Sequence, residues 1–215
     1  MTKLLAIRHG ETEWNVEGRV MGQLDSRLTA RGVEQSMAIA RRLQTVPFDA
    51  LYSSDLGRAV RTADIIGEAC GKPVSLDAGL RERHMGIFQA LTTAEMYRRF
   101  PAERAEYERL GDEYVVPGGE SGRDKRERSV RALTAIAVRH PRQTVVVVTH
   151  GAFLMGFFEA VLSLPPGRGS TFRRHNASYN AFEYTAGQWR LETWNDISHL
   201  DNAGSGEDPT MAERS

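Results

Sequence analysis

Four consecutive valines, residues 145–148 in "QTVVVVTH", constrain the fold of this 215-residue chain more than any other feature. β-Branched residues favour strands, and a strand without polar interruptions is typical of a parallel sheet buried on both faces. A second apolar run, "KLLAI" at residues 3–7, predicts another buried strand. Helical patterns lie between the predicted strands, so we expect an α/β fold with a mostly parallel sheet.

Two helical segments in the first third of the chain have recognisable ends. In "LTARGVEQSMAIARRLQ", Thr29 is a plausible N-cap. The apolar residues of this segment recur at helical spacing: Val33, Met37, Ala40 and Leu43. In "SDLGRAVRTADIIGEACG", Ser54 or Asp55 would cap the start of a second helix, and Gly71 would end it.

Both buried strands end in a histidine followed by a glycine: His9 after the first and His150 after the valine run. Ligands of parallel sheets bind outside the carboxyl ends of the strands, so we expect both histidines at one edge. A lone histidine at a strand end is more often structural, but the pair favours a site. A neutral imidazole can attack phosphorus without a separate base. The planar guanidinium group of Arg8 is suited to binding phosphate. Gly10 would let a ligand approach the backbone closely, and the backbone amides from Gly151 onward would bind an anion.

A phosphate site also needs a cation and an acid from elsewhere in the chain. Arg58 is a better candidate than Arg61, because it lies nearer the start of its helix and therefore nearer the predicted site. Asn15 would donate its amide to phosphate or serve only as a turn residue. Glu82 would protonate the leaving group, with Glu11 as the competitor.

Composition excludes several other classes. Lys+Arg and Asp+Glu both number 28, which argues against a general nucleic-acid or membrane-surface binder. Cys70 is the only cysteine, which favours a reducing compartment. The N-terminal apolar run is too short for a signal peptide and the longest aliphatic run is too short to span a bilayer, so we expect a cytoplasmic protein. No phosphate-binding P-loop, zinc spacing or carboxylate cluster is present, so we expect no metal and no cofactor.

These motifs resemble the histidine phosphatase superfamily, the phosphoglycerate mutase-like proteins. The match runs from "IRHGETEWN" through "SSDLGRAVRTA", "LRERHMG", "PGGES" and "VVVVTHG" to "WNDISHL", about residues 3 to 200. The resemblance implies a three-layer α/β/α sandwich and a phosphohistidine intermediate. One domain would span 1–200, with a small helical cap at about 82–120 inserted before the later strands. The polar tail, 201–215, is expected to be disordered.

The resemblance also implies roles for individual residues. His9 corresponds to the nucleophile and Glu82 to the proton donor, while Arg8, Arg58 and His150 correspond to the phosphate pocket. Four further positions correspond to substrate contacts in the family: Asn15, Gly22, Gln23 and Gly151. The segment "WNDISHL" is more similar to the small broad-specificity phosphatases than to the mutases.

Departures from the mutase pattern separate the remaining functional alternatives. Thr93 replaces a lysine, Met85 replaces a tyrosine, and Ala90 stands where glycine is usual. The segment after Glu82 is also short beside that of the cofactor-dependent mutases. We therefore predict a metal-independent phosphomonoester hydrolase for a small phosphorylated metabolite. A phosphoglycerate mutase is the alternative, followed by a non-catalytic binding module on the same fold. Homodimers are common among such proteins, so a homodimer is one state that the resemblance implies.

Overall fold

A computed structural model describes residues 1–165, 167 and 171–200 of the chain, so the predicted disordered tail, 201–215, lies outside the described residues. The strands are β1 (Thr2–Arg8), β2 (Ala50–Ser53), β3 (Val74–Leu76), β4 (Thr144–Thr149), β5 (Tyr179–Thr185) and β6 (Gln188–Asp196). The helices are α1 (Glu13–Val16), α2 (Ala30–Gln44), α3 (Gly57–Cys70), α4 (Thr93–Arg99), α5 (Pro101–Leu110), α6 (Gly122–Arg139) and α7 (Gly151–Val161). None of the helices in these described ranges is long and apolar enough to cross a membrane.

The six strands form one sheet in the order β3-β2-β4-β1-β5-β6. The pairs β1–β4, β2–β4 and β2–β3 are parallel, whereas β5 and β6 are antiparallel to their neighbours. The valine run of β4 lies between β2 and β1 and is completely buried. A mostly parallel central sheet is therefore confirmed, and the valine run predicts its middle.

Apolar side chains on the two faces of the sheet form two separate cores. In β1, Leu5 and Ile7 belong to the core that contains residues of α2 and α3, whereas Leu4 and Ala6 belong to the core with residues of α6 and α7. Successive strand residues point to opposite faces, so a strand covered on both sides has to be apolar throughout. The three-layer α/β/α sandwich is thereby confirmed.

Helix α2 confirms one sequence prediction and contradicts another. Thr29 is its N-cap, and its side chain accepts an N–H from the first turn. Met37, however, is 47% exposed and does not belong to the inward stripe. The buried face instead includes the polar Gln35, whose amide oxygen accepts the Glu11 N–H at 2.9 Å. Hydrophobic periodicity alone therefore assigned Met37 to the wrong face, because it does not register a polar side chain with a buried partner.

Helix α3 ends as predicted but begins differently. Gly71 is the C-cap in the left-handed conformation, with φ of 65°. The predicted N-cap at Ser54 or Asp55 is wrong, because the helix begins at Gly57. The first two N–H groups of α3 donate to the carboxylate of Asp25, which lies on a distant loop.

The segment 82–120, which we call the cap, contains α4, α5 and a small apolar core. Pro101 is the first residue of α5, as its missing N–H group favours. The buried residues of the cap core are Phe88, Leu91, Met96 and Val116. Ala90 joins the cap to the chain after α1, since its N–H donates to the Val20 carbonyl at 2.8 Å. Ala90 keeps the left-handed conformation with φ of 65°, although it is not glycine.

Candidate active site

The two strand-end histidines lie side by side. β1 and β4 are parallel neighbours in register, and the His9 N–H donates to the carbonyl of Thr149 at 2.9 Å. The ring centroids of His9 and His150 are 5.3 Å apart. Both residues are buried, with 2% and 0% of their surface exposed. The sheet thus brings together the two imidazoles that the sequence places 141 positions apart, 9 against 150.

The main chain determines which nitrogen of His9 is available for reaction. Its Nδ1 lies 2.7 Å from the carbonyl oxygen of Gly10. A carbonyl oxygen only accepts hydrogen bonds, so Nδ1 carries the proton, and in the neutral ring Nε2 carries the lone pair. This is the tautomer that a nucleophilic imidazole needs.

His150 is bonded on its other nitrogen. Its Nε2 lies 2.8 Å from Oγ of Ser54, at the end of β2, while its buried Nδ1 has no hydrogen-bond partner among the described residues. Burial, together with the charges of Arg58, His9 and Arg8, holds the pKa of His150 well below its ordinary value of 6.5. His150 is therefore neutral at physiological pH.

Arg8 and the two predicted glycines have distinct surroundings. The Arg8 guanidinium donates to the carbonyl of Arg174 and packs on the backbone of Gly151. A Cβ at Gly151 would lie 3.1 Å from Nε of Arg8, which explains glycine there. Gly10 is required for packing, because its Cβ would lie 2.4 Å from the carbonyl oxygen of Gly32 on α2. The approach of a ligand to its backbone stays a prediction.

Arg58 is 2% exposed and is held by a single loop. Its guanidinium donates to the carbonyl of Gly22 at 2.8 Å, to that of Leu24 at 2.7 Å and to the Asp25 carboxylate at 3.0 Å. Burial lowers the pKa of Arg58, and the charges of Glu82 and Asp25 oppose that shift. Arg61, the rejected alternative one turn later, is exposed.

Asn15 has the structural role that was one of its two predicted alternatives, and donation to phosphate stays a prediction. Its amide oxygen accepts from the backbone and hydroxyl of Thr12, at 3.1 and 3.0 Å, in a capping box at the start of α1. Asn176 donates to the same oxygen at 3.2 Å and to the His9 carbonyl at 3.1 Å. With the oxygen engaged, the NH₂ group of Asn15 is the part of the amide left to donate to a phosphate oxygen.

Gly22 and Gln23 connect the phosphate region to the cap. Gly22 has φ of 55°, and a Cβ there would overlap the side chain of Gln89. The Gln23 N–H donates to the Gln89 amide oxygen at 2.8 Å, and the Gln23 side chain donates to the carbonyl of Glu82 at 3.1 Å. The loop that holds Arg58 therefore also contacts the candidate acid and the cap.

Glu82 lies over the start of α7, immediately after His150. Its carboxylate accepts the N–H groups of Ala152 and Phe153, at 2.8 and 2.9 Å, and that of Arg83 at 2.8 Å. All three partners are donors, so these are the contacts of an ionised carboxylate. The amides that follow Gly151 thus bind Glu82 in this structure, where we had expected them to face phosphate.

The competing acid, Glu11, is engaged elsewhere. Its carboxylate accepts the Thr29 hydroxyl at 2.8 Å and pairs with Arg31 at 3.6 Å. Both partners lie at the start of α2, so Glu11 has a structural environment. Glu82, beside the helix that begins after His150, is the better placed of the two carboxylates.

Two imidazoles and two guanidinium groups thus meet in one buried region beside the carboxylate of Glu82, with Asp25 paired to Arg58. Such a set suits a small tetrahedral anion, because arginine and a neutral histidine can both donate to its oxygens. Within residues 1–165, 167 and 171–200, no group of three or more His, Cys, Asp or Glu side chains is arranged to hold a metal ion. The chemistry of the donor set is that of phosphoryl binding by fixed cations.

A family model for the histidine phosphatase superfamily (branch 1) matches residues 4–197. The chain therefore belongs to the histidine phosphatase superfamily, as its sequence motifs indicate.

Some of the similar proteins are named as mutases and others as phosphatases. The chain is 34% identical over 206 residues to "Probable phosphoglycerate mutase GpmB" of Salmonella choleraesuis, covering 94% of this chain and 96% of that protein. The structure of Bacillus stearothermophilus YhfR is similar with a TM-score of 0.86 and 32% identity, over 94% of this chain and 100% of that one. The mycobacterial glucosyl-3-phosphoglycerate phosphatase in complex with VO3 has a TM-score of 0.80 and 34% identity, over 90% and 98%.

Three residues around this site were missed by the sequence analysis: Asp25, Asn176 and the role of Ser54. Asp25 bonds Arg58, 33 positions away, and Asn176 bonds Asn15, 161 positions away. Contacts between residues so far apart leave no pattern in the local sequence. Ser54 was interpreted as a helix cap, because serine before a helical segment usually is one. A polar residue directly after β2, at the same sheet edge as both histidines, was the available signal.

Proposed function

We propose that this protein is a metal-independent phosphomonoester hydrolase that acts through a phosphohistidine on His9. The observation that carries the proposal is the tautomer of His9: the Gly10 carbonyl holds the Nδ1 proton at 2.7 Å, which leaves Nε2 as an electron-pair donor in a cationic pocket. Membership of the superfamily and the likeness to a named phosphatase support the same class. The roles given below to individual residues belong to the proposal.

In the first step, the Nε2 lone pair of His9 forms a bond to phosphorus while the bond from phosphorus to the ester oxygen breaks. Charge spreads over the three other phosphoryl oxygens, where Arg8, Arg58, His150 and Asn15 donate. The leaving oxygen takes a proton from Glu82. Because Glu82 is bonded to three N–H groups in this structure, it has to be protonated and turn from the start of α7 before that transfer.

In the second step, water attacks phosphorus, Glu82 removes its proton, and the bond from phosphorus to Nε2 breaks. The ionised form of Glu82, which accepts from three N–H groups, is suited to that role of general base. Inorganic phosphate leaves and the neutral His9 is restored.

Hydrolysis fits the cap better than isomerisation does. A mutase has to keep the phosphohistidine from water until the isomeric alcohol binds. In the cap, α5 has no buried residue, and its charges pair on their own helix, Arg104 with Glu108 and Arg109 with Glu106. These pairs give Arg104 and Arg109 partners on their own helix, which supports an ordinary solvated surface there.

The proposed substrate is a small phosphorylated metabolite. Two relatives carry phosphoglycerate in their names, so phosphoglycerates and their esters come first in a phosphate-release screen, before sugar phosphates, nucleotides and phosphorylated cofactors. The cytoplasm is the proposed compartment because Cys70 is the only cysteine. A homodimer without nucleic-acid or membrane partners is the proposed assembly.

Trapping the intermediate tests the proposal. The enzyme is mixed with a ³²P-labelled substrate from the screen and quenched in alkali, where a phosphoramidate survives. We expect the label on His9, and neither label nor turnover in His9→Ala. His140→Ala is the control, since His140 precedes β4 at the opposite sheet edge and bonds Tyr52. Turnover should persist in excess EDTA. Label on His150, normal turnover of His9→Ala, or loss of activity restored by a metal ion would contradict the proposal.

The mutase alternative has its own assay. The enzyme is incubated with 3-phosphoglycerate, with and without 2,3-bisphosphoglycerate. We expect inorganic phosphate from any phosphoglycerate that is turned over. Accumulation of 2-phosphoglycerate in excess of phosphate would make the protein a mutase.

A further inference from the structure

The side chain of Ser54 contacts one ring nitrogen of His150. Both Ser54 and His150 are completely buried, and Oγ of Ser54 lies 2.8 Å from Nε2 of His150. In the sheet, β4 lies between β2, which Ser54 follows, and β1, which His9 follows. His150, at the end of β4, therefore has Ser54 on the neighbouring strand end and His9 on the other, with its ring centroid 5.3 Å from that of His9.

The hydrogen bonds of Ser54 bear on the direction of its own proton. The backbone N–H of Leu56 donates to Oγ of Ser54 at 3.3 Å, so one lone pair of the hydroxyl is occupied. The other contact of Oγ among the described residues is Nε2 of His150. The hydroxyl has one proton to give, and Nε2 is the acceptor within reach among these contacts. This arrangement favours Ser54 as the donor and Nε2 of His150 as the acceptor.

This direction decides the tautomer of His150. A neutral imidazole has one N–H group, and a nitrogen that accepts a hydrogen bond does not carry it. With Nε2 accepting from Ser54, the proton of His150 lies on Nδ1. That nitrogen is the buried atom with no hydrogen-bond partner among the described residues. A buried donor without a partner is costly, and a bound anion would satisfy it.

We propose that Ser54 is a positioning residue that holds His150 in the Nδ1–H tautomer, so that His150 donates this hydrogen bond to a phosphoryl oxygen beside His9. The donor acts without giving up its proton, and it is strongest where charge develops on the phosphoryl oxygens. In the opposite tautomer, a lone pair on Nδ1 would face the anion and repel it. The inference rests on the proposed phosphatase function, but the tautomer itself is measurable without any turnover.

The test combines NMR with kinetics. The protein is labelled with ¹⁵N-histidine, and ring signals are assigned by their absence in His150→Gln. We expect the Nδ1–H tautomer of His150 in the wild type, a shift towards Nε2–H in Ser54→Ala, and recovery in Ser54→Thr. Ser53→Ala is the matched control, because Ser53 is equally buried but donates to the carbonyl of Ser54. Addition of inorganic phosphate should shift the wild-type Nδ1–H signal.

The kinetic arm uses whichever phosphomonoester the enzyme hydrolyses. Removing one donor to developing charge costs about 10²–10³-fold in kcat, so Ser54→Ala should lose up to that factor, with Ser54→Thr and Ser53→Ala near the wild type. If Ser54→Ala does not fold, Ser54→Cys, a weaker donor, should show a mixture of tautomers.

An Nε2–H tautomer in the wild type, or an unchanged Nδ1–H tautomer in Ser54→Ala and Ser54→Cys, would overturn the inference. A protein with the expected tautomers and no phosphate release would instead overturn the proposed function alone.

Discussion

The phosphate pocket and the cap differ in how firmly the chain holds them. His9, His150 and Arg58 are at most 2% exposed. Each is bonded to a distant part of the sequence: the His9 N–H to Thr149, the His150 ring to Ser54 and the Arg58 guanidinium to Gly22. The cap has a core of four buried residues, and α5 contributes none of them. The atoms that would meet phosphorus in the proposed mechanism are thus fixed by the body of the protein. The cap surface that would meet the rest of the substrate can vary without loss of the fold.

Glu82 lies where these two regions meet, and replacing it should have the largest effect. Glu82→Gln cannot protonate a leaving oxygen, and a general acid is worth about 10²–10⁴-fold. We expect that loss with alkyl phosphates and a far smaller one with p-nitrophenyl phosphate, whose leaving group barely needs a proton. Glu11→Gln is the control, because Glu11 bonds Thr29 and Arg31 instead. Equal losses on both substrates would place Glu82 among the purely structural residues.

Arg58 tests the phosphate pocket itself. Removing one partner of a buried charged contact costs several kcal/mol, so kcat/KM of Arg58→Ala should fall about 10²–10³-fold on every phosphomonoester, good leaving group or poor. Arg61→Ala, an exposed arginine of the same helix, should stay near the wild type. Comparable losses in both variants would mean that general positive charge matters more than this guanidinium.

Replacing Lys125, on α6, tests whether a buried charge lowers the stability of the region where α6 packs against the cap. The side chain of Lys125 is buried, and burial lowers its pKa, whereas the charges of Asp112, Glu82 and Glu159 raise it. If Lys125 is replaced, Asp112 still has a partner in Arg83, at 3.5 Å. We therefore expect Lys125→Met to raise the free energy of unfolding by about 1–4 kcal/mol, as replacement of buried charge often does.

The pH dependence of unfolding gives the sign check for Lys125. Between its lowered pKa and the ordinary value of 10.5, the unfolded chain binds more protons than the folded one. Stability should therefore rise with pH in that window, and Lys125→Met should flatten the rise. Lys72→Met is the control at a lysine that is only half-buried, and it should change the pH dependence little. A destabilised Lys125→Met with the same pH dependence would contradict the assignment.

Ala90 carries the smallest expected effect, within the cap. Its φ of 65° costs a residue with a Cβ about 1–2 kcal/mol, and glycine recovers part of that at an entropic cost of about 0.5–1 kcal/mol. Ala90→Gly should therefore raise the free energy of unfolding by up to about 1 kcal/mol, as chemical denaturation would measure. Activity should not change. If Ala90→Gly is destabilised, the packing of the methyl group contributes more to stability than the strained backbone conformation costs.

The parts of the fold that follow local rules were predictable from sequence. The valine run predicts the central strand, Thr29 and Gly71 mark helix ends, and Pro101 separates two helices. The meeting of His9 with His150 followed from one topological rule, that the carboxyl ends of parallel strands share an edge. These features depend on a few neighbouring residues or on the direction of a strand.

The parts that failed depend on distant partners. Ser54 and Asp55 have good capping chemistry, but Ser54 bonds His150 and Asp55 pairs with Arg81, so Asp25 takes the start of α3. Glu82 was identified as an acid by its position in a motif, whereas its attachment to the start of α7 needed the packed helix. Side-chain partners across the fold decide such details, and a single sequence does not contain them.

The ion pair between Arg58 and Asp25 bears on how the protein parts with its product. Inorganic phosphate is the same group that the pocket binds in the substrate, so every catalytic cycle would end with an occupied pocket. A buried arginine without a carboxylate partner would bind inorganic phosphate tightly and release it slowly. Asp25, 3.0 Å from the guanidinium, cancels much of its distant attraction while leaving the directions of the N–H groups intact. In the proposed mechanism, the carboxylate would thus shorten the residence of the product and preserve the geometry that orients the substrate.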